Sequence, residues 1–170
     1  MHVETDQEDA DICARLLQRA EACLDASERL CADMIDGSWQ SSFSRGTVCL
    51  WLGFHAVELF MKACICRLDR SKRLNTHSLG TLNLILEELD PALTLDVPFG
   101  PEPVAADYEL MEIALENDRT MHEQLSYPID RQGRAWDGVR GFSEHYFRDD
   151  LRKIRAEFER VRPMVFGGSF

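Results

Sequence analysis

The sequence predicts an all-α, up-and-down bundle of about five helices, and three observations carry that expectation. The stretch from Thr47 to Leu68, TVCLWLGFHAVELFMKACICRL, is apolar on nearly every side and helix-forming in its second half. A helix apolar all round must be enclosed by other helices, so this stretch is expected to be the central rod. Segments before and after it carry apolar residues at alternating spacings of three and four, the seam of a helix facing a partner. No segment alternates convincingly at period two, so no strand is expected. At 170 residues the chain is read as one domain with room for a proper core.

The first helix is expected over residues 7–36. Cys13, Leu17, Ala20, Leu24, Ser27, Cys31 and Met34 form its seam, widened by Ile12, Leu16, Cys23 and Leu30. Gly37-Ser38 ends it, and a loop to Ser44 leads into the central helix. After Leu68 comes a basic polar turn, Asp69 to Asn75, and Thr76 is the expected N-cap of a third helix. Leu79, Leu82, Ile85, Leu86 and Leu89 are its buried face, and Pro91 ends it. The segment from Pro91 to Pro103, with four prolines and a glycine, is read as a loop. A fourth helix is expected from Val104 to Gln124. Its seam of Val104, Tyr108, Met111 and Leu115 turns polar at Asp118 and His122, with Arg119 beside it. Tyr127-Pro128 breaks that helix, and a loop to Gly133 or Gly138 precedes the fifth. The fifth has Phe147, Leu151, Ile154, Phe158, Val161 and Val165 on one seam, which counted backward passes Glu144 and Arg140, with His145 one step round.

The central stretch is read as too short and too often interrupted by charge to span a membrane. The acidic N-terminus lacks the apolar region of a signal peptide, so a soluble, cytoplasmic protein is expected. The six cysteines, Cys13, Cys23, Cys31, Cys49, Cys64 and Cys66, fall in predicted helices among apolar neighbours. They are expected to be small buried hydrophobes in a reducing compartment, not a disulfide scaffold. Cys64 and Cys66 would face different ways and lack a second ligand pair, so no zinc site is expected from them. No metal ligand set or cofactor is assigned.

The net charge of −11 argues against a surface that coats nucleic acid. The charge is uneven. Residues 1–130 hold 10 Lys/Arg against 24 Asp/Glu, net −14, and residues 131–170 hold 9 against 6, net +3. An anionic ligand should meet the C-terminal third, unless the basic helix simply complements acidic neighbours within the bundle. On the central helix His55, Glu58 and Lys62 fall on one face, with Glu58 four residues before Lys62, the favourable order for a helical ion pair. Taken alone that pair reads as structural. Two helices joined by a short loop usually lie antiparallel. Asp118, Arg119, His122, Arg140, Glu144 and His145 are therefore expected to converge at one end of the bundle. Buried polar groups cost stability unless paired, so a polar break in an apolar seam marks a site. Solvation where the helices splay is the plainer account of the same residues.

The run HAVELFMKA (His55 to Ala63), a polar turn, and then THSLGTL (Thr76 to Leu82) together resemble the HEPN superfamily of small helical bundles. The matching positions are Glu58, Lys62, Ala63, His77, Leu79 and Leu82. The later LSYPID (Leu125 to Asp130) is similar to the Tyr-Pro turn before the last helix in many members, and the resemblance spans most of residues 44–165. It implies an up-and-down bundle, usually a homodimer. It also implies, for active members, a metal-independent endoribonuclease with an Arg-x4-6-His motif near the start of the last helix. There the Arg and His of two protomers share a cleft and the RNA 2′-hydroxyl attacks. Arg140-Gly-Phe-Ser-Glu-His145 matches in spacing and position, and departs at Gly141, where active members commonly carry a polar residue. By this resemblance His145 is the acid or base and Arg140 the anion clamp, with His122 and Arg119 in support; a histidine and an arginine supply such chemistry without metal. Arg119-Thr-Met-His122 is itself too short for the motif.

Two functions follow from the resemblance: a toxin–antitoxin or defence ribonuclease, or a non-catalytic module. The module would bind a nucleotide or a partner protein such as a nucleotidyltransferase-type antitoxin. A plain structural bundle is the third reading. No Gly-rich phosphate loop, His-Glu-x-x-His motif or nucleophilic Ser/Cys arrangement points to another enzyme class.

Overall fold

The computed structural model describes residues 3–72, 74–99, 108–136 and 141–167. Among them are five α-helices: α1 (Val3–Ile35), α2 (Phe43–Leu68), α3 (Leu79–Leu89), α4 (Tyr108–Ser126) and α5 (Glu144–Phe166), with a 3₁₀ turn at Pro91–Leu93. No strand occurs among the described residues, only an isolated antiparallel bridge between Ile129 and Ala135. The fold is an all-α bundle. All four other helices pack on α2, which supplies the middle of the core. Phe54, Ala56, Val57, Phe60, Met61, Ala63, Cys64 and Ile65 are wholly buried, so nearly every face of that helix meets protein.

The seams of α1 and α5 sit where their periodicity puts them. Every α1 residue from Cys13 to Met34 in the seam is buried, including Ser27, whose Oγ donates to the Cys49 carbonyl at 2.8 Å. All six residues of the α5 seam are buried as well. Pairings along the helices fix their directions. Ser27 meets Cys49 near one end while Cys13 meets Cys66 at the other, so α1 and α2 are antiparallel. Phe147 approaches Gly53 and Phe158 stacks on Phe60, so α5 runs parallel to α2. Close approach at the start of these helices needs glycine: a Cβ on Gly46 would overlap the Phe142 ring.

Several boundaries differ from expectation, each for a local reason. α2 begins at Phe43, four residues before Thr47, because Ser42 serves as its N-cap and accepts from Arg45 N. The resulting 26-residue helix is, by length and composition, the one among the described residues that could cross a bilayer, which corrects the expectation of a stretch too short to do so. Here the apolar residues of its middle, from Gly53 to Ile65, are covered by the other helices, while Phe43 and Val48 near its start are exposed. α3 is capped by Ser78, not Thr76; the Ser78 side chain accepts from Thr81 N while Thr76 Oγ1 accepts from Ser78 N. On α4 the expected seam fails in its first half. Met111 and Leu115 are exposed, and Val104 lies outside the described residues. From Met111 on, α4 seats residues in the bundle through its second half, by Asp118, Leu125 and the half-buried Met121. The Tyr108 side chain, like Val104, lies outside what is described.

The cysteines divide. Cys13 and Cys66 form a disulfide with a Cα–Cα distance of 5.7 Å, joining the start of α1 to the end of α2. That corrects the expectation of six reduced thiols. Cys23, Cys31, Cys49 and Cys64 are free, and burial pushes Cys31 and Cys64 up to about 12, far from a reactive thiolate.

Candidate functional site

A charged residue at the middle of an apolar helix is costly to bury unless it is paired. Glu58 is 1% exposed, and its carboxylate gathers polar groups from three elements. One turn further along α2, Lys62 donates from Nζ to Glu58 Oε1 at 2.6 Å. The segment leading into α3 brings His77, whose Nδ1 lies 3.0 Å from the same oxygen. Glu58 Oε2 faces His55 Nδ1 at 3.6 Å on α2 and His122 Nδ1 at 3.9 Å on α4. Those three atoms, Glu58 Oε2, His55 Nδ1 and His122 Nδ1, are buried and have no hydrogen-bond partner. The imidazoles are held by flat contacts. His77 stacks on His122 with centroids 4.1 Å apart and 14° between planes, and His55 stacks on Trp51 at 5.2 Å.

Electrostatics follow from this crowding. Burial alone would raise the Glu58 carboxyl, yet His55, Lys62 and His77 beside it hold it down to about 2. Burial and then the neighbouring His77 push His122 below its ordinary value, against the pull of Glu58. At neutral pH the centre is a carboxylate paired with an ammonium and flanked by an uncharged His122.

One turn before His122, Asp118 does a different job. Its Oδ1 accepts from Gly80 N at 3.1 Å and its Oδ2 from Ser78 Oγ, so a carboxylate of α4 sits on the amino end of α3. A negative charge there is favourable, because the first N–H groups of a helix lack internal partners. Asp118→Ala is expected to lower stability by about 1–2 kcal/mol, the upper part of the range for losing such a cap. Urea denaturation checks it.

The end of α4 and the start of α5 share one end of the bundle, since Ser126 meets Trp51 and Phe147 approaches Gly53, but their polar side chains turn to different partners. Asp118 and His122 face α2 and the start of α3. Arg119 is turned outward beside Glu116. His145 is exposed in the first turn of α5 and makes no hydrogen bond or ion pair with His122 or Arg119 among the described residues. Its neighbour Glu144 is tied to the other side of the bundle, where Cys31 Sγ donates to its carbonyl at 3.2 Å and Ser41 Oγ to its side chain at 3.3 Å. Arg140 lies outside the described residues. α4 packs on α2 and α3, while α5 packs on α1 and α2.

The basic character of the last helix is largely consumed inside the molecule. Arg155 pairs with Asp25 and Glu28 of α1 at 2.6 Å each, and Arg162 with Glu21 at 2.8 Å. Arg160 donates to the carbonyls of Ala92 and Thr94 and pairs with Glu157. These cations complement their acidic neighbours.

Sequence reasoning assigned no site role to His55, Glu58, Lys62 or His77. A signal was present: a glutamate at the centre of an apolar helix, with a histidine three before and a lysine four after. Fold and centre together define an all-α bundle around a buried carboxylate flanked by histidines and a lysine. No family model, curated protein or solved structure matches the chain.

Proposed function

We infer that the chain is a HEPN-like cytoplasmic protein acting as a metal-independent endoribonuclease of a toxin–antitoxin or defence system, its site completed across a two-fold homodimer. The observation that supports this reading is the placement of His145. It is exposed at the end of the bundle formed by the starts of α2 and α5 and the end of α4. Phe43, Val48, Tyr127, Ile129 and Tyr146, large apolar or aromatic residues of those same segments, are also exposed, Tyr146 at 80%. Exposed apolar side chains rimmed by polar ones mark interaction surfaces. A second copy seated there would place two His145 side chains in one cleft; Arg140, which the resemblance pairs with His145, lies outside the described residues. His145 would exchange the proton of the attacking 2′-hydroxyl, and the arginine would hold the phosphate charge. In this reading His122 and Arg119 take no part, His122 being directed to Glu58 and Arg119 to Glu116.

A second reading has its own support. The arginines of α5 are engaged by acids of the same chain, and the net charge is −11, both poor features for gripping RNA. A non-catalytic HEPN-like module that binds a nucleotide or a nucleotidyltransferase-type antitoxin fits those facts. Incubating purified protein with single-stranded and structured RNA in excess chelator separates the two. The ribonuclease reading expects cleavage that persists without metal and falls more than about 100-fold in His145→Ala, the lower end of a general acid–base contribution. Because His145 is exposed, the melting temperature should not move. Wild-type protein that cuts no RNA removes the ribonuclease reading and leaves the module.

A further inference from the structure

We propose that Glu58, His77 and His122, with His55 beside them, form a binding site for a first-row divalent transition metal of the zinc type. The site is independent of the reading at His145 and uses none of its residues.

The geometry argues for it in three steps. Glu58, His77 and His122 each offer one ligand atom, and these atoms lie within 4.8 Å of one another. A carboxylate with two or three imidazoles is a set that suits zinc and its neighbours, and the nitrogen donors disfavour calcium and magnesium. The two carboxylate oxygens also have different fates. Oε1 is taken by Lys62 at 2.6 Å and His77 at 3.0 Å. Oε2 is buried and unpartnered, and so are the two ring nitrogens nearest to it, those of His55 and His122. Three buried polar atoms without hydrogen-bond partners, converging on one point, are unfavourable as they stand. With each imidazole protonated on Nε2, all three present lone pairs. A shared cation satisfies all three at once.

The spacing is close to what an ion needs. Ligands bound at about 2.0–2.2 Å in a tetrahedral shell lie roughly 3.3–3.6 Å apart. His55 is already 3.6 Å and His122 3.9 Å from Oε2, so closure takes a few tenths of an ångström. His77 is half exposed on the segment before α3 and has the most freedom to swing in as a further ligand or to leave its position to water. Lys62 works against the ion, since its ammonium sits on the other oxygen of the same carboxylate. Affinity in the micromolar range is therefore expected, weaker than a closed structural zinc site.

The test is a titration of chelator-treated full-length protein with Co²⁺ and Zn²⁺. One equivalent of Co²⁺ is expected to give d–d absorbance without a sulfur charge-transfer band, to be displaced by Zn²⁺, and to raise the melting temperature with metal concentration. His122→Ala and His77→Ala, both partly exposed and so tolerable to the fold, should each weaken binding more than about tenfold. Glu58→Gln should abolish it, with circular dichroism reporting whether that variant is folded. Absence of Co²⁺ binding up to millimolar concentration overturns the proposal, leaving the imidazoles as hydrogen-bond partners of a buried carboxylate. Binding that survives unchanged in both histidine variants, or that carries a thiolate signature, also overturns it.

Discussion

Glu58→Ala is expected to destabilise the bundle by about 3–5 kcal/mol, the cost of breaking a buried ion pair by deleting one partner. Lys62 is 9% exposed and its Nζ has its close contact with Glu58 Oε1, so removal of the carboxylate leaves an ammonium in the core without its counter-charge. His55, His77 and His122 lose the group they surround at the same time. Deleting both charges with Glu58→Leu and Lys62→Met together should recover most of the loss, because an apolar pair of similar volume avoids desolvation altogether. The same carboxyl gives a pH prediction. Its value in the folded chain is about 2, below the ordinary 4.5, so its contribution to stability is complete above about 4.5. That contribution is lost progressively as the pH falls from there towards 2. Urea midpoints measured across that window should fall for the wild type, and the part of the fall due to this carboxyl should vanish in the double variant.

Phe60→Ala should cost a similar amount, about 3–5 kcal/mol, for a different reason. Phe60 is wholly buried on α2 and lies flat on Phe158 of α5, with ring centroids 3.9 Å apart and 11° between planes. Truncation opens a ring-sized cavity between two helices that are also held by the α5 seam, so neighbours can close it only in part. A loss below about 1 kcal/mol, by chemical denaturation, would contradict this packing.

Periodicity made the core of α1, α2 and α5 legible, because their apolar spacing is repeated over several turns and the seams so marked, from Cys13 onward in α1, are buried. Met111 and Leu115 misled because both are exposed, and Leu115 lines an open groove with α3 and residues 95–98. No local pattern distinguishes an apolar stripe facing a groove from one facing a core. The disulfide was hidden by reading each cysteine in its own helix. Cys13 and Cys66 are equidistant from the Trp39–Gln40 turn, so an antiparallel pairing of α1 with α2 would have set them side by side. The buried centre was half legible. His55, Glu58 and Lys62 share a helix face by spacing alone, but His77 and His122 join them through tertiary packing across 19 and 64 residues of chain. His122 is turned to Glu58 while His145 is exposed on α5, and no hydrogen bond or ion pair among the described residues joins them. Local spacing says nothing of which partner a polar side chain at a helix end will find.

Light scattering of the purified protein at micromolar concentration tests most directly whether His145 belongs to a site shared by two copies of the chain. The expected result is a single species at twice the 19.5 kDa mass of the chain, converted to monomer by Tyr146→Glu at the exposed end of α5. A wild-type mass of 19.5 kDa across the micromolar range would contradict it.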